Sequence, residues 1–392
     1  MSHYKYLIIG GGMTAAATAH GIREIDSQGS IGIIGKEQDK PYDRPPLTKG
    51  LWKDKSLDSI WRYTEKERVE FHLGRNVEAI EPGRKRVVDD ARNTHTYEKL
   101  LLATGGRPRT LPFGDGQIIY YRTLEDYRRL RELADKNKRF VVIGSGFIGS
   151  EIAAALAINK KEVTMVFPGK GIGDRVFPQD LSQFLNGFYR EKGVQIVAGE
   201  SATGLETRGA EQFLKTSSGR ELVAAAVVAG IGIQPNVELA QQAGLKIDNG
   251  IVVDDFLRTT NPDIYAAGDV AAFHSPALGQ YIRVEHEDNA NTMGTIAGHN
   301  MAGKPEPYRH LPFFYSDLFE LGYEAVGELD SRLEIFADWK TRFREGVVYY
   351  LKQGRVRGVL LWNVWGQVDN ARALINEPGP FKPDELKGRL PR

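Results

Sequence analysis

At 392 residues the chain is longer than one ordinary hydrophobic core, so two or three domains are expected, and a 41% hydrophobic content can fill them. The 52 basic and 51 acidic side chains are interspersed and leave a net charge of +1, which excludes the basic footprint of a nucleic-acid partner. There is no cysteine, so a thiolate metal site, a cysteine nucleophile and a redox disulfide are excluded, and any redox chemistry needs a bound cofactor.

The first residues lack the charged, apolar and small-residue regions of a secretory signal, and no apolar run reaches the roughly 18 residues of a membrane span. A cytoplasmic protein without a membrane span is expected. Residues 4–9 form an apolar, partly β-branched run, followed by glycines and an Ala-rich stretch over 14–25, so strand, turn and helix are predicted in that order. A second strand at 31–34 completes a βαβ unit. The turn Gly10-Gly11-Gly12-Met13-Thr14-Ala15 fits the dinucleotide fingerprint, with Gly10 for the tight turn, Gly12 for close pyrophosphate approach and Ala15 for helix packing. Glu37, just past the second strand, is the candidate acid for ribose hydroxyls. Strands are predicted over 75–90 and 97–103, the latter running through Ala103-Thr104-Gly105 into a tight turn against a cofactor. The Pro- and Gly-rich stretch 107–116 marks a domain crossing.

The same pattern returns about 134 residues later: strand 140–143, glycines in Gly144-Ser145-Gly146-Phe147-Ile148-Gly149, helix 150–159 and strand 162–167. Two such units imply two dinucleotides. The acid that an NAD ribose wants after the second strand is missing, because Phe167-Pro168-Gly169 stands there. Lys170 and Arg175 follow in one loop and are candidates for a 2′-phosphate, or are solvated loop charges, so NADH and NADPH both stay open. A strand over 223–229 ends in the loop Gly230-Ile-Gly232-Ile-Gln-Pro-Asn, a return crossing that makes the first domain discontinuous. The segment 259–269 reads as a strand ending in Gly268-Asp269, and Asp269 is either a contact to a ribityl hydroxyl of FAD or a helix cap. Residues 283–290 are expected to start a helix; His286 lies between Glu285 and Glu287, but no second histidine stands at metal-binding spacing, so no metal is expected. From about residue 310, strands at 323–329, 346–352 and 356–361 and a helix at 367–375 predict a third, mostly antiparallel domain. The boundaries are 1–118 and 237–309 for the first domain, 119–236 for the second and 310–392 for the third.

With Pro41-Tyr-Asp-Arg44-Pro-Pro-Leu-Thr-Lys49, Leu102-Ala-Thr-Gly-Gly106, Gly144-Ser-Gly-Phe-Ile-Gly-Ser-Glu151, Ala267-Gly-Asp269 and Arg283-Val-Glu285-His286, the chain resembles the apoptosis-inducing factor family and its relatives, the bacterial ferredoxin and rubredoxin reductases. The resemblance runs over almost the whole length. Tyr315-Ser-Asp-Leu, Gly322-Tyr-Glu324-Ala-Val-Gly and Gly358-Val-Leu-Leu-Trp-Asn363 resemble the apoptosis-inducing factor branch more.

The resemblance implies an α/β fold: two Rossmann-like dinucleotide-binding domains of the glutathione-reductase type and a C-terminal α+β domain with an antiparallel sheet. It implies FAD contacts at Gly12, Met13, Thr14, Ala15, Ala16, Glu37, Arg44, Lys49, Val77, Arg122, Asp269 and His286, with Glu287 beside them. It implies NAD(P)H contacts at Ser145, Gly146, Phe147, Ile148, Gly232, Glu285, Tyr315, Glu324 and Asn363, with NADH favoured and NADPH still open. Tyr315 stands where animal members carry a stacking tryptophan. Lys49 and Glu151 are implied as the catalytic ion pair near flavin N5, where a cation stabilises negative charge on the reduced ring.

The expected activity is hydride transfer from NAD(P)H C4 to flavin N5, with electrons passed to a ferredoxin- or rubredoxin-like protein, a quinone or oxygen. The alternative is a redox-sensing protein whose slow FAD reduction and charge-transfer complex control association or partner binding. A monomer or a homodimer is compatible with either.

Overall fold

The computed structural model describes residues 2–391. They divide into two compact units. The first comprises the segment ending at Arg44 with Ser56–Arg107 and Gln234–Pro312; the second comprises Pro45–Lys55, Pro108–Ile233 and the segment from Phe313 onward.

In the first unit, Ser2–Ile9 lies between Ile31–Gly35 and Thr94–Leu102, parallel to both, with Ile8 level with Ile33 on one side and Leu101 on the other. Val69–Leu73 and Ile264–Ala266 extend the parallel part, and Arg86–Asp89 and Val77–Glu81 finish the sheet in antiparallel fashion. The central strands are covered on both faces, which is why they are continuous apolar runs rather than alternating ones. One face is covered by the helix Met13–Ile25, which packs on the helix Glu287–Met301. Small residues permit that close approach: a Cβ on Gly21 would stand 2.3 Å from the Thr295 carbonyl oxygen, and one on Gly298 would stand 2.5 Å from that of Thr18.

The second unit repeats the device. Arg139–Ile143 is flanked in parallel by Glu162–Phe167 and Ala226–Ala229, with Val194–Ala198 and Ile119–Tyr120 at the edges. A three-stranded antiparallel sheet of Ala202–Arg208, Glu211–Thr216 and Glu221–Ala224 follows. Residues 313–362 form a five-stranded antiparallel sheet ordered Phe313–Leu318, Leu321–Gly327, Arg355–Trp362, Glu345–Lys352 and Glu334–Thr341, and the helix Val368–Asn376 follows it. The first strand of this sheet meets the helix Phe147–Ile158, where the Phe147 and Phe314 rings lie 5.1 Å apart. This is the α/β architecture with two parallel-sheet nucleotide folds and a C-terminal antiparallel sheet that the sequence predicts.

Three local readings change. The single strand expected over 223–229 is two strands: Glu221–Ala224 closes the three-stranded sheet and Ala226–Ala229 joins the parallel one, with the Ala225 N–H donating to the Arg139 carbonyl in between. Both halves are apolar, so hydrophobic pattern alone runs them together. The helix expected from residue 150 begins at Phe147, because helical backbone starts immediately after Gly146. The helix expected near 283–290 begins at Glu287, with His286 extended at its N-cap. Among the described residues no helix is long and apolar enough to cross a membrane.

Candidate active site

The glycine turns are built by backbone geometry that other residues cannot adopt without strain. Gly10 has φ +119° and sits so close to the next strand end that a Cβ would lie 2.1 Å from the Ala103 carbonyl oxygen. Gly12, the N-cap of the helix Met13–Ile25, is different: its Cβ would meet only an Arg44 side-chain nitrogen at 4.0 Å. In the second unit Gly144 has φ +106° and a Cβ there would strike the Gly230 carbonyl oxygen at 2.4 Å, whereas a Cβ on Gly146, again the helix N-cap, would meet nothing within 4 Å. Neither N-cap has a side chain bonded to the helix's first N–H groups. Each copy therefore presents unfilled helix donors across open space, at the glycine that the fingerprint reserves for a pyrophosphate. The residues present fit two dinucleotides.

Around the first turn the structure gathers several of the expected residues. Glu37 accepts from Arg44 Nη2 through Oε1 and from the Tyr42 hydroxyl through Oε2, both at 2.5 Å. Burial opposes charge on Arg44, but its hydrogen-bonded ion pair with Glu37 and the nearby charge of Asp269 help raise the guanidinium above its ordinary value. Gly268, with φ +78°, abuts Thr14 and opens the short 3-10 turn Gly268–Val270, in which the Asp269 carbonyl accepts from Arg283 Nη1 at 3.0 Å. Arg283 also bonds Glu285 at 2.8 Å. The His286 imidazole is lowered to about 4 by burial, against the opposing charges of Asp269 and Asp288, and is neutral at pH 7. Met13, Ala15 and Ala16 are buried on the first helix, Val77 starts an edge strand, and Glu287 lies in the first turn of the second helix. Thr104 and Gly105 are tied to Asn236, whose N–H donates to the Gly105 carbonyl at 3.0 Å.

The second unit holds a buried ion pair. Lys49 Nζ lies 2.7 Å from Glu151 Oε1, with the two side chains 13% and 4% exposed. Glu151 sits one turn into the helix Phe147–Ile158. Two hydroxyls also donate to its carboxylate: Ser316 Oγ to Oε1 and Thr48 Oγ1 to Oε2, each at 2.5 Å. The Lys49 ammonium stands 5.1 Å from the centre of the Tyr315 ring. Burial, and then the negative charge of Glu151, push the phenols of Tyr189 and Tyr323 well above their ordinary value. Thr48 and Ser316 were not anticipated from the sequence; each is adjacent in the chain to a residue that was.

The remaining candidates are scattered over both units. Phe147 and Ile148 are 38% and 37% exposed, an unusual placement for large apolar side chains at a helix start. Tyr315 and Glu324 face each other in register across two strands; burial raises the Glu324 carboxyl, which accepts from the Gly366 N–H. The Asn363 side-chain amide is engaged at both ends by backbone, accepting from Gly322 N at 2.7 Å and donating to the Arg344 carbonyl at 2.8 Å. Gly232 has φ +92° and its carbonyl accepts from Arg109 N. Lys49 and Arg122, expected for FAD, belong to the second unit, while Glu285, expected for the nicotinamide nucleotide, belongs to the first. Among the described residues no three His, Asp or Glu side chains cluster as a metal site.

Residues 4–294 match the pyridine nucleotide-disulphide oxidoreductase family, three-quarters of the chain. The chain belongs to that family. It is an FAD-dependent oxidoreductase that uses NAD(P)H, and having no cysteine it lacks the disulphide of the family's name. Residues 297–342 and 337–377 of this oxidoreductase match the C-terminal domain of mitochondrion-associated apoptosis-inducing factor. It is 34% identical to apoptosis-inducing factor 1 of Dictyostelium discoideum, over 96% of this chain and 79% of that protein. It is 32% identical to the putidaredoxin reductase of Pseudomonas putida, over 97% of this chain and 93% of the other. The crystal structure of the covalent putidaredoxin reductase–putidaredoxin complex superposes with a TM-score of 0.90 at 32% identity, covering 98% and 96% of the two chains.

Proposed function

We propose that this oxidoreductase takes hydride from NAD(P)H onto bound FAD and passes the electrons to a small iron–sulfur carrier protein of the ferredoxin class. The observation that carries the reading is the buried Lys49–Glu151 pair, whose carboxylate stands on the helix that opens at the second glycine turn. FAD supplies the conversion of a two-electron donor's hydride into electrons that leave singly. The first glycine turn with Glu37, Arg44, Asp269 and His286 is assigned to hold it, and the second turn to hold the nicotinamide nucleotide.

Lys49 would supply a positive charge to stabilise the reduced flavin, and Glu151 with Thr48 and Ser316 keeps that ammonium in one place. The carrier-protein acceptor is supported by the putidaredoxin reductase likeness. The reading carries with it an FAD domain of residues 1–118 and 237–309, a nucleotide domain of 119–236, a C-terminal domain of 310–392 and a cytoplasmic location. Anaerobic NADH or NADPH should bleach the flavin absorbance, and turnover with a ferredoxin-type acceptor should exceed that with a quinone or oxygen. Colourless protein that takes up no flavin ends the reading.

The C-terminal match to apoptosis-inducing factor favours a second reading, a redox sensor in which slow reduction changes association. Light scattering with and without NADH separates the two: a change of mass alongside slow turnover with every acceptor supports the sensor.

A further inference from the structure

The second βαβ unit lacks a carboxylate at the chain position expected for the adenosine ribose, but a carboxylate from further along the chain reaches that place. The strand Glu162–Phe167 ends and Gly169 stands where the fold places that carboxylate. A Cβ built on Gly169 would lie 2.1 Å from Asp174 Oδ2, 2.8 Å from its Cγ and 2.9 Å from Oδ1. The Asp174 carboxylate therefore fills the volume that a side chain at 169 would enter, and glycine there is what makes room for it.

The loop that delivers Asp174 is held from several sides. The Lys170 N–H donates to Asp174 Oδ2 at 2.9 Å, and the neighbouring Gly173 N–H donates to the carbonyl of Ser145, inside the glycine turn, at 2.9 Å. The helix Gln179–Glu191 pins the rest: Asn186 accepts from Ile172 N–H and donates to the Lys170 carbonyl, and Ser182 Oγ donates to the Ile172 carbonyl at 2.8 Å. Lys170 and Arg175 by contrast are exposed.

We infer that Asp174 is the specificity-determining residue at the 2′ position of the adenosine ribose, selecting NADH over NADPH, and that Lys170 and Arg175 do not form a 2′-phosphate site. The inference rests on the assignment of the second glycine turn to the nicotinamide nucleotide. A carboxylate accepts from a ribose hydroxyl, whereas a 2′-phosphate brought to the same place meets a like charge.

Calorimetric titration of the flavin-loaded protein with NAD+ and with NADP+, which bind without turnover, tests it. The wild type should bind NAD+ at least about tenfold more tightly than NADP+, and Asp174→Asn and Asp174→Ser should bring the two affinities together by weakening NAD+ and strengthening NADP+. A carboxylate that only locks the loop weakens both nucleotides alike; an unchanged ratio in both variants therefore overturns the inference, as does a wild type that prefers NADP+. Should neither nucleotide bind the wild type, the assignment of the turn fails as well, an outcome distinct from two bound nucleotides with an unmoved ratio.

Discussion

Lys49 and Glu151 are 102 positions apart in the chain, yet their side chains meet at 2.7 Å in a buried setting. A charge pair withdrawn from water is costly unless further hydrogen bonds support it, and here the Thr48 and Ser316 hydroxyls add one to each carboxylate oxygen. If the ammonium stabilises the reduced state, Lys49→Ala lowers the rate of flavin reduction by NADH at least about tenfold while flavin stays bound. Stopped-flow absorbance measures the rate; an unaltered rate removes Lys49 from the chemistry.

The two hydroxyls are testable on their own. Thr48→Val and Ser316→Ala each leave Glu151 one donor short in a buried site, and each should cost about 1–3 kcal/mol of stability. Chemical denaturation of both variants reports the cost, and midpoints equal to the wild type would show the carboxylate to be hydrated instead.

The glycines of one turn should separate folding from binding. Gly144→Ala forces a side chain into φ +106° and against the Gly230 carbonyl, a loss of about 2 kcal/mol or more. Gly146→Ala meets no neighbour, so its melting temperature stays near that of the wild type while affinity for the nicotinamide nucleotide falls. Equal nucleotide affinity in Gly146→Ala would mean that the open space before this helix is not a phosphate site.

Acid stability should carry the mark of His286. Its imidazole is held at about 4 in the folded chain, below the ordinary 6.5, so the unfolded chain binds the proton more readily. The stability that goes with the neutral ring is complete above about pH 6.5 and is lost as the pH falls towards 4. His286→Gln should flatten that part of the profile in melting temperatures taken stepwise between those limits; parallel profiles contradict the assignment.

Because the chain has no cysteine, treatment with a thiol-alkylating reagent should leave turnover untouched. Inactivation by such a reagent would require another nucleophile at the site.

The glycine turns were legible in the sequence because their requirement is local: a positive φ and a missing Cβ are properties of the residue itself, and strand and helix patterns frame both. The parallel strands were legible for a related reason, since burial on both faces makes their apolar runs continuous. The division at Ala225 was not, because one apolar run serves two sheets, and the strands Phe313–Leu318 and Glu334–Thr341 were not, because their partly exposed residues alternate weakly. Among the site residues, Lys49 and Glu151 came from family resemblance, whereas Thr48, Ser316 and Asp174 had no marker in the chain.

What the sequence by itself determined is the kind of ligand: two turns shaped for pyrophosphate, no thiol, and therefore redox chemistry borrowed from bound nucleotides. What only the tertiary structure decided is which charges are buried together and which carboxylate stands beside the second turn, at Asp174 rather than at residue 169. The physical reason is range: backbone conformation is set by neighbouring residues, while desolvation and charge pairing depend on atoms that the chain brings together from far along its length.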